Sequence, residues 1–322
     1  MNTLPPLFLD RLKKILPEEG YDSFLKIFSF NRPLSVRINT LKIAREQVFK
    51  MLADQNVLFA TVPWFKEALV LDAVTSSSRL PGPDFFKEGY LYPQGLSSML
   101  PALVLDPKPG ERVLDLCAAP GSKTTQMACL MQNQGFILAV EPIRERYYKL
   151  RSVVSQSGAN IVRFKRLDGR RLRVTDELFD KVLVDAPCSS EGRFKINEPK
   201  TYAYWSLRKI KEMARKQKGL LLNASRLLKP GGILVYSSCT FAPEENEAAV
   251  DWLLRKTAGH LKLLPIDIEG IASYPVVGQW QGKTFHPEIH HGLRVLPDER
   301  MEGFFIAKLI KSASSQPQAS RL

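Results

Sequence analysis

Cys188, in Asp185-Ala-Pro-Cys-Ser-Ser, and Cys239, in Tyr236-Ser-Ser-Cys-Thr, each stand just beyond a short apolar run. Val182, Leu183 and Val184 lead into Asp185, and Ile233, Leu234, Val235 and Tyr236 lead into Ser237. Such runs, bounded by Pro or Gly, read as buried parallel strands. In open α/β sheets chemistry collects where those strands end, so both thiols are expected at one edge of a nucleotide-binding sheet. A thiolate there can add to carbon 6 of a pyrimidine and make carbon 5 enamine-like. Methylation of cytosine at carbon 5 needs that help, because the carbon does not give up its proton readily. Ser189, Ser190, Ser238 and Thr240 surround the two thiols with hydroxyls that favour a thiolate. Cys117 and Cys129, by contrast, read as thiols that fill space.

A methyl donor would need its own cradle. Val113-Leu-Asp-Leu-Cys-Ala-Ala-Pro-Gly-Ser-Lys-Thr-Thr joins a strand to a helix through small residues. Ala118, Ala119 and Gly121 there let a ligand approach the backbone, and the helix beyond favours polar groups. The Gly-Ser-Lys-Thr within it is not a phosphate-binding P-loop, since that pattern needs an earlier glycine and the dipeptide Gly-Lys. S-adenosylmethionine fits better, with its methionine part over the loop. Glu141 ends the next strand, where a carboxylate can accept from both ribose hydroxyls, and Asp168 ends the third, where one can accept from the adenine amino group.

These residues require a doubly wound, mostly parallel Rossmann-like sheet, and the rest of the chain supplies its elements. Strands are predicted at 112–116, 136–141, 161–166, 181–185, 232–236 and 303–310, with helices from 122, over 146–157 and over 206–228. Before them, residues 1–90 read as a smaller α/β module: a helix ending at Pro17, a second over 21–28, strands at 35–39, 57–62 and 68–71, and a helix over 44–55. The catalytic domain is expected over 91–311, and 312–322 as a disordered polar tail.

The chain has 322 residues, room for one large domain and a smaller one, and 44% of them are hydrophobic, ample for a full core. Lys and Arg number 46 against 33 Asp and Glu, and the net charge of +13 suits a polyanionic partner. Arg163, Lys165, Arg166, Arg170, Arg171 and Arg173 form one basic run, while Arg208, Lys209, Lys211, Arg215, Lys216 and Lys218 line a helix. Tyr202, Tyr204 and Trp205 are candidate stacking residues, with core packing the default. The four cysteines include no Cys-x-x-Cys pair, so no metal site is expected, and a reducing compartment follows. With no leader and no apolar run long enough to span a membrane, the expectation is a cytoplasmic protein, monomeric and free of membranes.

Four motifs in order over about residues 32–310 give a resemblance. Arg32-Pro-Leu-Ser-Val-Arg-Ile-Asn-Thr-Leu-Lys, Asp115-Leu-Cys-Ala-Ala-Pro-Gly-Ser-Lys-Thr, Asp185-Ala-Pro-Cys-Ser-Ser-Glu-Gly and Leu228-Lys-Pro-Gly-Gly-Ile-Leu-Val-Tyr-Ser-Ser-Cys-Thr are similar to those of the Sun/Fmu-type RNA (cytosine-5) methyltransferases. The resemblance is greatest to the bacterial ribosomal-RNA branch. It implies transfer of a methyl from S-adenosylmethionine to cytosine in RNA through a covalent adduct, on ribosomal RNA, or on transfer RNA as the alternative. Carried over, it makes Cys239 the nucleophile and Cys188 the cysteine of product release. Asp185 then hydrogen-bonds the cytosine ring, and Lys123 is the lysine of the family's loop. Cys117, Ala118, Ala119, Pro120, Gly121, Ser122 and Lys123 form the donor loop, with Glu141 at the ribose, Asp168 near the adenine, and Arg146 and Asp185 assisting. Two departures stand out. Tyr-Ser-Ser-Cys replaces the commoner Tyr-Ser-Thr-Cys, and the pattern stops near Lys311 where some relatives add a C-terminal RNA-binding domain. A DNA-type enzyme, which would attack with Cys188, and a non-catalytic RNA-binding factor are the competing readings.

Overall fold

The computed structural model describes residues 3–16, 21–71, 82–174 and 177–313; Pro17 and the expected tail beyond 313 lie outside them. Phe8, Leu12 and Ile15 recur at helical spacing and form the buried face of α1 (Pro6–Ile15). α2 (Tyr21–Lys26) follows and tightens into a 3₁₀ turn over Ile27–Ser29. Their aromatic side chains Phe8, Phe24 and Phe28 pack with Phe194, Phe241 and Tyr274 from far along the chain.

The small sheet is antiparallel, in the order β2-β3-β1-β4, from β1 (Ser35–Ile38), β2 (Phe59–Val62), β3 (Phe65–Leu71) and β4 (Leu91–Pro93). Between its strands, α3 (Arg45–Asp54) and α4 (Pro83–Lys87) cover one face with Val48, Leu52 and Phe85. Its other face, through Val62, Phe65, Ala68 and Val70, joins the main core beside α5 (Leu96–Leu105). Residues read in sequence as one leading segment thus divide among three cores.

The main sheet holds five parallel strands in the order β9-β8-β5-β6-β7: β5 (Arg112–Asp115), β6 (Phe136–Val140), β7 (Val162–Lys165), β8 (Phe179–Asp185) and β9 (Leu228–Ser238). Alternate side chains enter opposite cores, as a pleated strand requires. Val113, Leu183 and Val235 join α5, α6 (Ser122–Leu130) and α7 (Arg144–Ser157) on one face. Leu114, Val182, Val184 and Leu234 meet α8 (Leu207–Leu227) and α9 (Glu247–Lys256) on the other. Burial on both faces explains why the strands are continuously apolar.

Beyond β9 the sheet turns antiparallel. β15 (Phe304–Lys311) pairs with β9, and its other edge is shared by β10 (Leu261–Leu264) and β14 (Leu293–Val295), with β11 (Ser273–Tyr274) outermost. β12 (Gln279–Trp280) and β13 (Lys283–Thr284) make a separate ribbon. Strand order reverses beside β5, between β8 and β6, which is where such sheets open a ligand crevice. Register places Asp115 beside Leu183 and Asp185 beside Ser237, so the strand ends that carry polar residues lie together. No helix among the described residues is long and apolar enough to cross a membrane.

Candidate active site

Because Asp185 and Ser237 are paired in register, the two loops that follow leave the sheet side by side, and Ala186 N donates to Ser237 O at 2.9 Å. Cys188 and Cys239 are thereby brought to a sulfur–sulfur distance of 3.0 Å. They form a free thiol pair at the wall of a 460 Å³ cavity. The pair divides its proton unequally. The hydrogen bond from Cys188 holds the Cys239 thiol below its usual range, with help from Arg193 and Ser190 against burial. The same bond, reinforced by burial, pushes Cys188 well above its usual range. The arrangement lets one proton be shared between the two sulfurs, with a thiolate favoured at Cys239.

Buried carboxylates brace both loops from behind. Glu191, just after the Cys188 motif, accepts from Thr240 Oγ1 at 2.8 Å, from Phe241 N at 3.0 Å and from Trp205 Nε1 at 2.8 Å. Glu245 Oε2 accepts from Ser189 N and Gln217 Nε2, and burial pushes this carboxyl up to about 8. Glu191 links the Cys188 loop to the residues that follow Cys239, while Glu245 ties the residue after Cys188 to α8.

Lys123, 6% exposed at the start of α6, places Nζ 2.7 Å from Asp185 Oδ2 and donates to Ser98 Oγ at 2.7 Å. Asp185 Oδ1 accepts from Ser237 Oγ at 2.8 Å. Cys188, Cys239, Asp185 and Lys123, four residues from three motifs, therefore line one cavity. Cys117, Ala118, Ala119, Pro120, Ser122 and Arg146 line it as well.

Gly121, Glu141 and Asp168 do not reach that lining. Gly121 adopts φ +115°, and a Cβ there would meet Val153 at 3.1 Å and Leu150 at 3.2 Å, so its small size serves the turn and the packing of α7 against the loop. The buried Glu141 accepts from Ile143 N at 2.9 Å and lies 3.6 Å from Arg146, which in turn donates to Ala119 O at 2.7 Å. Asp168 caps a 3₁₀ turn and pairs with Arg170 at 2.5 Å, which holds its carboxyl below the usual range. Cys129 sits away from the cavity between Arg37 and Asn39, each at 3.3 Å. Tyr202 and Trp205 pack into the aromatic core while Tyr204 is 89% exposed. In the basic stretches Arg208, Lys211 and Arg215 are exposed, and Lys209 and Lys216 pair with Glu212.

Sequence reasoning missed several lining residues. Asp115 stands at the end of β5, accepts from Thr124 Oγ1 at 2.6 Å, and leaves Oδ1 buried without a partner among the described residues. Burial pushes its carboxyl up to about 6, Thr124 opposing and the nearby Asp185 adding to the rise. Its position at a strand end, like that of Asp185, was the available signal. Tyr92, Gln94, Gly95 and Ser98 arrive from β4 and α5, and Arg193, Glu302 and Phe304 from loops that no local pattern connects.

Two families match the chain. The N-terminal domain of 16S rRNA methyltransferase RsmF matches residues 4–95, and 16S rRNA methyltransferase RsmB/F matches residues 102–310. The chain belongs to the RsmB/F methyltransferase family. It is thus one of the RNA cytosine-C5 methyltransferases, which draw the methyl group from S-adenosylmethionine. A tRNA (cytosine(49)-C(5))-methyltransferase of Pyrococcus abyssi is 38% identical over 94% of this chain and 95% of its own length. Ribosomal RNA small subunit methyltransferase F of Cronobacter sakazakii is also 38% identical, over 98% of this chain, which spans 64% of that protein. The fold of NSun6 from Pyrococcus horikoshii, solved with the S-adenosylmethionine analogue SFG, superposes with a TM-score of 0.81 at 25% identity, covering 98% of this chain and all of that one. The cavity suits that donor: small residues form its floor, and the partnerless Asp115 Oδ1 is an acceptor for a cationic or hydroxyl donor group.

Proposed function

We propose that this RsmB/F family member forms 5-methylcytosine in ribosomal RNA through a transient bond between Cys239 and the base. The observation that carries the reading is the Cys188–Cys239 pair at 3.0 Å on the same cavity wall as the Lys123–Asp185 pair. Cys239, relieved of its proton, adds to carbon 6 of a cytosine turned out of its stack, and carbon 5 becomes the nucleophile. Turning the base out costs a few kcal/mol and least where it is already unpaired, so a loop or single strand is the favoured target. Asp185, held by Lys123 and Ser237, would hydrogen-bond the cytosine ring in the protonated adduct. S-adenosylmethionine supplies an electrophilic methyl group on a sulfonium centre. The donor would rest on residues 117–123, with Asp115 and Arg146 at hand, and Glu141 and Asp168 as partners for ribose and adenine. Loss of the carbon-5 proton and elimination at carbon 6 then free Cys239, with Cys188 serving that release.

Residues 1–90 contribute RNA recognition and 91–311 the chemistry, in a cytoplasmic monomer. A second reading, transfer RNA as substrate, is favoured by the near-complete coverage of the Pyrococcus abyssi enzyme. Bisulfite sequencing of ribosomal and transfer RNA from a deletion strain separates the two. For the mechanism, Cys188→Ala accumulates a covalent RNA adduct on a denaturing gel and Cys239→Ala forms none. Equal adduct in both variants removes the assigned roles.

A further inference from the structure

Gly192 is wedged between two loops of the cavity mouth. Its N–H donates to Cys239 O at 2.9 Å, and a Cβ on it would lie 2.3 Å from Gly303 O and 3.1 Å from Cys239 O. The next residue on one side is Arg193, and the residue before Gly303 is Glu302, so this contact carries both to the mouth beside Cys239. There Arg193 Nε donates to Glu302 Oε2 at 3.0 Å, and its two terminal nitrogens make no hydrogen bond among the described residues.

Besides Cys239, the charged and titratable groups lining the cavity are Tyr92, Asp115, Cys117, Lys123, Arg146, Asp185, Cys188, Arg193 and Glu302, with Glu191 and Glu245 behind the cysteine loops. Of the three cations, Lys123 is taken by Asp185 and Ser98, and Arg146 by Glu141 and Ala119 O. Arg146 and Arg193 both keep guanidinium N–H groups free of hydrogen bonds among the described residues, and Arg193 is the one adjacent to Gly192, whose N–H bonds Cys239 O.

We propose that Arg193 is the cation that sustains Cys239 as a thiolate, and that Glu302 moderates it. This rests on the reading of Cys239 as nucleophile. After the proton shared with Cys188, Arg193 is the next influence that lowers the Cys239 thiol, and Glu302 raises it. Reciprocally, Arg193 is held above its usual range first by Cys239 and then by Glu302. Acting through Cys239 rather than on the base, Arg193 is a positioning residue whose mark is a pH profile.

The test is alkylation of the full chain by iodoacetamide across pH, with Cys239 followed through its own peptide by mass spectrometry. Arg193→Gln should move the midpoint up by about one pH unit. Arg193→Lys should restore most of that shift, and Glu302→Gln should move the midpoint down. Unchanged midpoints in Arg193→Gln and Glu302→Gln, or shifts of the same sign in both, overturn the proposal. Should Arg193→Gln unfold, the downward shift in Glu302→Gln decides, its absence being fatal. Methyl transfer by Cys239→Ala separates the two readings: activity kept there removes Cys239 as nucleophile while the midpoints still report on Arg193.

Discussion

At the scale of the residue, the site depends on carboxylates that hold protons or partners against burial. Glu245 is the clearest case, because its folded carboxyl titrates near 8 while the ordinary value is 4.5. The native state therefore binds more protons than the unfolded chain between those values, so stability falls as pH rises through that window. Below about 4.5 the contribution is fully present, and above 8 it is lost. Glu245→Gln keeps an acceptor for Ser189 N without the buried charge. We expect its melting temperature to match that of the parent at pH 5 and to exceed it by about 4 °C or more at pH 8.5. Equal pH dependence in both proteins would show that Glu245 is ionised in the native state throughout.

At the scale of the element, one joint between the small sheet and the loop that opens α6 is a buried cation. Arg37 on β1, 1% exposed, donates to Gln94 Oε1 at 3.0 Å, to Thr125 Oγ1 at 2.8 Å and to Ser122 O at 3.4 Å. It thereby ties β4 and the start of α6 to β1, and two of those elements line the cavity. Arg37→Met leaves the buried acceptors unpaired, at a cost of about 1–3 kcal/mol. Calorimetry should find weaker binding of S-adenosylmethionine, with kcat at saturating donor little changed. Undiminished donor affinity in a folded Arg37→Met would mean that β1 only supports the sheet and does not position the loop.

At the scale of the molecule, the leading helices share a core with residues beside the cavity. Phe8 on α1 lies 5.0 Å from the Phe194 ring and 5.8 Å from Trp205, and the Trp205 indole donates to Glu191, which holds Thr240 and Phe241 beyond Cys239. Phe8→Ala should cost about 3–5 kcal/mol of stability. It should also slow adduct formation in the Cys188→Ala background, because the bracing of the nucleophile loop passes through that aromatic core. Full adduct rates in a protein measurably destabilised by the change would confine α1 to a structural part.

Local sequence determined the strands that run to Asp115, Asp185 and Ser238, since continuous apolar runs must be buried on both faces and their polar ends must then leave the core together. It also carried the small-residue loop and the two thiols that line the cavity, whose neighbours are small or hydroxylated within a few residues. Tertiary structure alone decided the remainder. The split of the first ninety residues among three cores follows from Phe24, Phe28 and Phe241, which meet across more than half the chain. Asp168 pairs with Arg170, a contact that its place at a strand end does not by itself encode. Arg193 and Glu302 came to Cys239 through the wedge of Gly192 against Gly303, a contact between backbones that no spacing of side chains encodes. Periodicity reports how each segment buries its own apolar face, whereas the proximity of distant loops depends on which faces find one another.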